Sequence, residues 1–502
     1  MNEVLARMYH VIWDRETSGI LLSSSPPGDE SLAAKDTELR PVFFEELDLL
    51  GFSRWIYPHC QAPLLWAVDR EYYSRGALVA KAKGGSFYAR PTIEYVVENL
   101  QLEPVNVIEM SRRNAGLIDA LAQRAIEFIR REYEQRKNNI DVVSVAFSGG
   151  KDSVVVLDLV QRALPPDAFV VVFGDTNMEL KVTYEAVEEA KRHWPQLTFL
   201  TARSHLPATE TWKLFGPPSR FQRWCCSVHK TAPSLLLLRE RVGSPYFKSL
   251  VYEGVRAGES FIRSTYDPVG VGLKHSTQIN ARPLLRWSAS EVYAYILSRG
   301  LPFHVGYRNG LTRIGCCVCP FGSSWSEGIA GVTYKDDINR FLEILYTQAP
   351  DSSDSQAVKT FVEDGVWKRR AGGRTSSSGR IKVLEKQLPD SLEITMIKPS
   401  ESWREWIKAI GTVTQQGFNA GTINTSQLAL PFTLEKTNGS TTATIRGLSQ
   451  ADRFTVSYIR AVGYKAAYCV HCRSCEADCP SGALHITNRV EIDEVKCIHC
   501  YR

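Results

Sequence analysis

The sequence lacks the features that would place the chain in or across a membrane. No apolar run approaches the roughly 20 residues that a membrane-spanning helix needs. The first residues, MNEVLARMYHVIWDRE, carry acidic side chains and contain no apolar segment of the kind found in a secretory signal peptide. We therefore expect a cytoplasmic protein with no membrane partner.

A strong charge imbalance and internal repeats are also absent from the sequence. The net charge of +5 permits an anionic substrate but does not by itself indicate a nucleic-acid-binding protein. The composition, 44% hydrophobic and 23% charged, is typical of a globular protein. A length of 502 residues suggests about three domains.

Cysteine is unusually frequent and unevenly placed. A disulfide framework is rare in the cytoplasm, so the 12 cysteines need another explanation. Cys60, next to His59, stands alone and is expected to be structural. The other cysteines are clustered, which indicates metal or redox chemistry. The clusters are Cys225 and Cys226; Cys316, Cys317 and Cys319; and Cys469, Cys472, Cys475, Cys479, Cys497 and Cys500.

Strand and helix patterns alternate from residue 141 to about residue 330. DVVSVAF and AFVVVFGDT are typical of buried strands, whereas VVVLDLVQRAL and TYEAVEEAKRHW are typical of helices. This alternation predicts a parallel sheet in an α/β fold. The predicted regions are an N-terminal α+β region (1–105), the α/β region with a leading helix (106–330), a helical, linker and mixed region (331–460) and a cysteine-rich module (461–502).

Shorter patterns predict local features. SSSPPGDES, APDSSDSQ and RRAGGRTSSSGR are typical of loops or linkers, and Asn438-Gly439 predicts a hairpin turn. Residues 107–137 are predicted to form an arginine-rich helix. Its charges fit either a solvated helix face or contact with a nucleic-acid backbone. The arginines are Arg112, Arg113, Arg130, Arg131 and Arg136.

A glycine pair marks a predicted phosphate loop in VAFSGGKDSVVVL. Gly149 and Gly150 lie between a buried strand and a helix, where helix amides, the helix dipole and Lys151 can hold phosphate. The segment is not a Walker A loop, because Val145 stands in the place of its first glycine and Asp152 in the place of its Ser or Thr. An ordinary glycine turn is the alternative.

These residues resemble a known superfamily. SGGKDS is similar to the PP-loop of the N-type ATP pyrophosphatases and the phosphoadenylyl-sulfate (PAPS) reductases. GDTNMELKVTYE, EGVRAGESFIRS and ARPLLRWSASEVYAYILSRGLPFHVGY resemble further motifs of that family, in the same order, over residues 140–325. The resemblance implies a parallel-sheet PP-loop core, similar to the adenine nucleotide alpha hydrolases.

The resemblance also implies roles for individual residues. The chemistry would be attack at the α-phosphorus, or at the attached sulfate, of an adenylyl group. Asp152 and Asp175 would serve Mg²⁺ if the nucleotide is ATP rather than APS or PAPS. Surface ion pairing is the alternative for Arg256 and Arg263. The implied catalytic residues are Lys151, Asp152, Arg256 and Arg263, and the nucleotide-binding residues are Ser148, Gly149, Gly150, Lys151, Ser153, Asp175, Thr176 and Arg256.

Two cysteine segments of the α/β region resemble the cluster-binding members of this family. WCCSVHK and RIGCCVCPF together are similar to the ligand set of a 4Fe–4S cluster in adenylyl-sulfate (APS) reductases. Four thiolates would suit zinc equally well, and inert buried thiols are a further alternative. Cys317 is then spare and is expected to pack nearby. The implied ligands are Cys225, Cys226, Cys316 and Cys319.

One family feature is missing from the sequence. Reductases of this family carry a catalytic cysteine in a Glu-Cys-Gly-hydrophobic-His context, and the sequence contains no such segment. Related enzymes with a cluster and without that thiol resemble sulfur-transfer enzymes, including those of DNA phosphorothioation. This difference favours ATP pyrophosphatase chemistry over thioredoxin-dependent reduction.

The C-terminal cysteines follow the bacterial ferredoxin pattern C-x2-C-x2-C-x3-C-P. A second run begins with Cys497 and Cys500. The spacing implies one or two 4Fe–4S clusters in a small ferredoxin-like domain, although each group of three cysteines lacks an evident fourth ligand. A zinc ribbon is the alternative. Its ligands would be Cys472, Cys475, Cys497 and Cys500.

Three hypotheses for the function remain open at this stage. The first is an ATP-dependent PP-loop enzyme that adenylates an acceptor, releases pyrophosphate and moves sulfur with its clusters. The second is an APS or PAPS reductase that receives electrons from the ferredoxin-like module. The third is a nucleotide- and redox-sensing interaction protein without turnover. The expected partners are an adenine nucleotide, a sulfur- or electron-donor protein and a nucleic-acid acceptor.

Overall fold

A computed structural model describes residues 9–24, 38–272, 277–349, 354–369 and 382–500. Most of the three predicted loop and linker segments lies outside these described residues. The chain divides into two compact units. The first unit contains Met1–Ala202, Pro217–Gln222 and Lys248–Gly373, and the second contains Arg203–Gly216, Arg223–Phe247 and Arg374–Arg502.

The strands are numbered in chain order. They are β1 (His10–Asp14), β2 (Gly19–Ser23), β3 (Arg40–Val42), β4 (Leu65–Val68), β5 (Glu71–Ser74), β6 (Ala77–Lys83), β7 (Thr92–Tyr95), β8 (Val142–Phe147), β9 (Val170–Asp175), β10 (Phe199–Arg203), β11 (Ser249–Glu253), β12 (Val269–Val271), β13 (Gln278–Ala281), β14 (Val383–Gln387), β15 (Ser391–Ile397), β16 (Thr412–Gln415), β17 (Ala420–Asn424), β18 (Ala429–Thr437), β19 (Ser440–Arg446), β20 (Leu484–Ile486) and β21 (Val490–Ile492).

The helices are numbered in the same way. They are α1 (Phe44–Leu50), α2 (Val107–Arg136), α3 (Lys151–Ala163), α4 (Lys181–His193), α5 (Ala208–Phe215), α6 (Trp224–Cys226), α7 (Ala232–Val242), α8 (Phe261–Ser264), α9 (Ala289–Arg299), α10 (Val305–Arg308), α11 (Ser324–Thr333), α12 (Lys335–Thr347), α13 (Ser355–Val362), α14 (Trp403–Ile407), α15 (Arg453–Tyr468) and α16 (Ser474–Asp478). Ser227–Thr231 forms a π-helix between α6 and α7.

The core of the first unit is a six-stranded sheet in the order β10-β9-β8-β11-β13-β12. β8 pairs in parallel with β9 and β11, and β11 pairs in parallel with β13. The central strands are rich in valine and almost fully buried, as expected for parallel strands covered on both faces. The α/β fold class with a parallel-sheet core, predicted from the alternating pattern, is therefore confirmed.

Helices α2, α3 and α9 pack against one another beside this sheet. α3 is buried along most of its length, because Val154–Val160 presents apolar side chains on several faces. The capping box of Ser288 and Glu291 fixes the start of α9. The amino end of α3, where the phosphate loop enters, is thus held by buried elements of the same unit.

The arginines of α2 are engaged within the protein. Arg113 donates to Asp14 at 2.9 Å and to Glu16 at 2.7 Å. The other four arginines contact groups of α2 itself or carbonyls of the last two residues of α3. These contacts are Arg112 to Glu109, Arg130 to the carbonyls of Arg162 and Ala163, and Arg131 and Arg136 to Glu132. They favour the solvated, ion-paired interpretation of the helix, and nucleic-acid contact stays a prediction.

A second sheet of the first unit, β3-β4-β5-β6-β7, is antiparallel throughout. Together with β1, β2 and α1 it forms the predicted N-terminal α+β part of the chain. Its first strand, β3, follows directly after Glu38 and Leu39. This connection brings Glu38 to the phosphate loop.

The second unit contains an antiparallel sheet in the order β14-β15-β19-β18-β17-β16. β18 and β19 form the hairpin predicted at Asn438-Gly439, with Thr437 opposite Ser440. A separate apolar core joins this sheet to α14, α15 and the β20–β21 hairpin. Cys469 follows α15 directly, so the cysteine-rich segment begins on a packed helix.

No helix in the described ranges is both long and apolar enough to cross a membrane.

Candidate functional site

The predicted phosphate loop connects β8 to α3. Gly149 has a φ of +72°, which only glycine adopts at low cost. The Ser153 hydroxyl donates to the Gly150 carbonyl at 2.8 Å and accepts the Ser148 N–H at 3.2 Å. These bonds close the loop around the amino end of α3, where backbone amides and the helix dipole favour an anion.

Two residues of α3 and one arginine form a chain of ion pairs beside the loop. The Lys151 ammonium lies 2.8 Å from Asp152, and the Arg256 Nε lies 2.7 Å from the other oxygen of Asp152. Burial opposes the charge on Asp152, but the two cations outweigh it and lower the pKa of this carboxyl. Burial likewise disfavours the charge on Lys151, yet attraction to Asp152 raises its pKa. All three groups are therefore charged at neutral pH.

Tyr307 and Tyr293 surround the Lys151 side chain. The Lys151 N–H donates to the Tyr307 hydroxyl at 3.0 Å. The Lys151 ammonium lies 5.5 Å from the centre of the Tyr307 ring and 5.9 Å from that of Tyr293. Burial raises the pKa of both phenols, so both stay protonated. Tyr307 thus bonds one of the amides that a bound phosphate would use.

Gly254, at the end of β11, lies against the backbone of α3. A Cβ at this position would be 2.8 Å from the carbonyl carbon of Asp152. Real Cβ atoms do not approach a backbone so closely, so only glycine fits. This contact fixes the distance between β11, which leads to Arg256, and the start of α3.

Arg256 and Arg263 are both ion-paired, but in different surroundings. Arg256 is 3% exposed and contacts Asp152 and Glu38. Arg263 lies on the short helix α8, is 27% exposed and pairs with Glu259. Ion pairing, the alternative left open by the sequence, is therefore found for both. Only Arg256 contacts the charged residues of the phosphate loop directly.

The second family motif follows β9 and is fully folded. Asp175 is buried, and its Oδ1 accepts the Asn177 N–H at 2.8 Å and the Tyr184 hydroxyl at 2.9 Å. The Thr176 hydroxyl donates to Glu179 at 2.8 Å and lies 3.5 Å from the Cys316 sulfur. The motif therefore connects the strand beside the phosphate loop to one of the predicted cysteine ligands.

Cys316, Cys317 and Cys319 lie beside that motif. The Cys317 N–H donates to the Met178 carbonyl at 2.7 Å, and its thiol is buried with a pKa raised to about 12. Burial raises the pKa of Cys316 as well, and the neighbouring Glu179 and Cys319 add to this effect. Cys317 packs in the protein, as expected, and Cys319 lies close enough to Cys316 to contribute to the raised pKa of Cys316.

Cys225 and Cys226 belong to the second unit, whereas Cys316 and Cys319 belong to the first. The four-cysteine ligand set thus stays a prediction. Cys225 is buried, Cys226 is partly exposed, and the π-helix begins at the next residue. Single π turns occur often at functional sites, because they widen the backbone locally. Arg223 donates to the Cys226 sulfur at 3.8 Å.

The C-terminal cysteines form two groups of neighbours. Burial, with smaller contributions from Cys475 and Cys472, raises the pKa of Cys469 to about 11. Burial also raises the pKa of Cys497, with contributions from Cys479 and Cys500. The groups are Cys469, Cys472 and Cys475, and Cys479, Cys497 and Cys500, the same two groups that the sequence spacing separates.

The first group lines a cavity of about 280 Å³ in the second unit. Its other walls are largely aromatic, from Phe215, Trp406, Tyr464 and Tyr468. Thiolates in an apolar cavity are the environment that iron–sulfur clusters occupy. His471 and Arg473, between these cysteines, have φ values of 55° and 61°, which non-glycine residues rarely adopt.

Across the described residues, no three His, Cys, Asp or Glu side chains are already arranged as ligands around one point. The thiols are neighbours rather than a preformed ligand shell. Their chemistry fits an iron–sulfur cluster and also fits zinc.

Cys60, the isolated cysteine, is 3.5 Å from the Ala62 carbonyl and lies in the N-terminal part of the first unit.

Sequence reasoning missed Gly254, Tyr307, Tyr293 and Glu38. Gly254 and the two tyrosines lie in segments that resemble family motifs, and that resemblance is the signal that marks them. Glu38 had no such signal. It lies far from the motifs in the sequence, and only the fold brings it to Arg256.

The comparisons with known proteins agree with the first-unit site. Residues 142–321 match the family model of the phosphoadenosine phosphosulfate reductase domain. The predicted resemblance to the PP-loop superfamily is confirmed for this part of the chain. The match contains the phosphate loop, the second motif and Arg256.

Three similar proteins illustrate the match. An uncharacterized protein of Methanocaldococcus jannaschii is 37% identical over 211 residues, which are 42% of each chain. The adenosine 5′-phosphosulfate reductase of Geobacillus thermodenitrificans is 28% identical over 41% of this chain and 79% of its own. The solved phosphoadenylyl-sulfate reductase of Candida auris is 20% identical, with a TM-score of 0.30 over 40% of this chain and 93% of its own. The chain thus spans under half the length of the Methanocaldococcus relative.

Proposed function

We propose that the protein is an ATP-dependent PP-loop enzyme that transfers an adenylyl group, releases pyrophosphate and couples this step to sulfur transfer at iron–sulfur clusters. The main support is the charged amino end of α3, where Lys151, Asp152 and Arg256 surround the phosphate loop. The reductase-family domain at residues 142–321 supports an adenine nucleotide as the ligand.

In this proposal, the loop amides and Lys151 bind the β- and γ-phosphates of ATP. An acceptor oxygen attacks the α-phosphorus, and the bond from that phosphorus to the bridging oxygen breaks. The electron pair of this bond leaves with pyrophosphate. Lys151 and Arg256 offset the negative charge that accumulates on the phosphates, as pre-positioned cations do in phosphoryl transfer. Asp152 and Asp175 would hold the accompanying Mg²⁺, whose charge would further offset that of the phosphates.

The cysteines serve the sulfur step. A sulfur nucleophile displaces AMP from the adenylated acceptor, so that a bond to sulfur forms and the bond to the AMP oxygen breaks. A bound iron–sulfur cluster would carry sulfur or electrons for this step. Cys225, Cys226, Cys316 and Cys319 would hold one cluster, and the two C-terminal cysteine groups would hold one or two more. The donor would be a sulfur- or electron-donor protein, and a nucleic acid is the proposed acceptor.

A second candidate is reduction of a sulfonucleotide. Several relatives at 26–28% identity are adenosine 5′-phosphosulfate reductases. In this candidate, electrons would pass from the C-terminal module to the cysteines of the reductase-family domain, and sulfite would be the product. The two candidates share the nucleotide site and differ in the bond that breaks.

Replacing Lys151 tests the shared nucleotide site. The variant Lys151→Ala should lose at least about tenfold in affinity for ATP or APS, because it removes a buried cation from the phosphate position. Isothermal titration calorimetry under anaerobic conditions measures this. Lys191→Ala is the matched control, since Lys191 pairs with Glu188 on the exposed face of α4. Unchanged affinity in Lys151→Ala would contradict the proposed site.

Metal analysis tests the cysteine assignments. Iron and acid-labile sulfide with EPR spectra of the reduced protein would support clusters, whereas zinc without sulfide would contradict them.

A cytoplasmic location, where cysteines stay reduced, is part of the proposal. The division of the chain into regions 1–105, 106–330, 331–460 and 461–502 also remains a proposal.

A further inference from the structure

Four side chains of the first unit form a row of alternating charge at the amino end of α3. Lys151 pairs with Asp152, and Asp152 pairs with Arg256. Arg256 then donates from Nη1 to both oxygens of Glu38, each at 3.0 Å. The Ala289 N–H, at the start of α9, lies 3.3 Å from the same carboxylate. These four side chains are paired with one another before any ligand binds.

Glu38 is the outer member of this row. Its side chain is 31% exposed, compared with 3% for Arg256 and 13% for Asp152. A ligand group that approaches Arg256 from solvent therefore meets the Glu38 carboxylate. Glu38 precedes β3 and lies outside residues 142–321, so the reductase-family domain itself does not supply this charge.

We propose that Glu38 makes the site select a nucleotide that carries a divalent cation, Mg·ATP, over a sulfonucleotide that carries none. This inference rests on the proposed function, since it concerns the same nucleotide site. The sulfate of APS is an anion without a bridging cation, and a carboxylate beside it is repulsive in a partly buried site. The polyphosphate of ATP would bring Mg²⁺, whose charge would offset that of Glu38.

The inference also explains why Arg256 is not left ready for a sulfate. Asp152 and Glu38 already occupy the guanidinium group. A sulfate that binds Arg256 in the usual two-point manner must therefore displace one of these carboxylates or lie beside its negative charge. Removing the charge of Glu38 while keeping its shape should therefore strengthen the binding of the sulfonucleotide relative to that of Mg·ATP.

The test compares equilibrium binding of Mg·ATP and APS to the full chain, Glu38→Gln and Glu38→Asp, by anaerobic calorimetry. Glu38→Gln keeps an oxygen for the Ala289 N–H and removes the charge. We expect its APS affinity to rise about tenfold, with Mg·ATP affinity unchanged or lower. Glu38→Asp keeps the charge and should retain the preference for Mg·ATP. The control is Glu98→Gln, because Glu98 pairs with Arg54 at the exposed surface.

The outcomes separate the inference from the proposed function. If the ratio of Mg·ATP affinity to APS affinity in Glu38→Gln stays within about twofold of the ratio in the unchanged protein, the role of Glu38 is overturned. The nucleotide site would still stand. Equal weakening of both nucleotides would assign Glu38 a purely structural role and would also overturn it. If the unchanged protein binds neither nucleotide, the proposed function fails first, and this inference fails with it.

Discussion

At the scale of single residues, the nucleotide site depends on close contacts made by residues that do not themselves bind the nucleotide. Gly254 lies against the Asp152 backbone, and Tyr307 bonds the amide of Lys151 at 3.0 Å. His304 anchors the same region through Thr183, with its Nε2 lying 3.1 Å from the Thr183 hydroxyl. None of these residues is itself a cation or a nucleophile. They position the residues that are.

The variant Gly254→Ala should destabilise the fold and weaken nucleotide binding together. The added methyl group would be 2.8 Å from the Asp152 backbone, so α3 or β11 must move. We expect a loss of about 1–3 kcal/mol in the free energy of unfolding. Gly116→Ala is the control. Gly116 lies on the exposed face of α2 with open space around its Cα, so this change should stabilise the helix slightly. Equal effects of the two changes would contradict the close contact at Gly254.

His304 should make the fold sensitive to acid. Burial lowers its pKa from 6.5 to about 4, so the folded protein keeps this ring neutral where the unfolded chain protonates it. Falling pH therefore favours the unfolded state between the two pKa values, and stability is regained as pH rises above 6.5. From pH 7 to pH 5 the loss from this group should be about 2 kcal/mol.

Denaturant unfolding of the protein and of His304→Gln at both pH values measures this effect. The stability difference between the two proteins should shrink at pH 5, because the variant has no ring to protonate. A difference that is the same at both pH values would show that His304 does not titrate in this range.

At the scale of elements, α7 and α16 of the second unit are joined by one arginine. Arg239 donates from its two Nη atoms to the carbonyls of Glu476 and Cys479, both at 2.6 Å. These are carbonyls at the carboxyl end of a short helix, where a cation also complements the helix dipole. Arg239 therefore fixes the backbone on which Cys479 lies.

The variant Arg239→Lys should loosen α16, because a lysine cannot bond both carbonyls with the same planar fork. Hydrogen exchange should become about tenfold faster for the amides of α16, with little change in the sheet β14–β19. Arg241→Lys, two residues further along α7 and exposed, is the matched control. Unaltered exchange in α16 would show that other contacts hold the cysteine segment.

At the scale of the whole molecule, the sequence predicted the first unit's core well. Buried strands and helices from residue 141 onward have strong periodicity, and glycines mark the phosphate loop, so β8, α3, β9 and α4 could be located. This success rests on local patterns that short segments carry by themselves. The two C-terminal cysteine groups that the spacing separates stay a prediction as ligand sets.

Contacts between distant segments could not be predicted in the same way. Glu38 reaches Arg256 across 218 positions, and no local pattern marks either residue as a partner of the other. Nor did the sequence show that Cys225 and Cys226 fold with the C-terminal module's unit rather than with Cys316. These features depend on tertiary packing, which composition and periodicity do not encode.

The most direct test of the central claim is anaerobic turnover of the cluster-reconstituted protein with Mg·ATP, a nucleic-acid acceptor and a sulfide donor and, separately, with APS and a low-potential electron donor. The proposed function predicts AMP and pyrophosphate from ATP, in equal amounts, and loss of both products in Lys151→Ala. Sulfite from APS with no pyrophosphate from ATP would contradict it and would support the reductase instead.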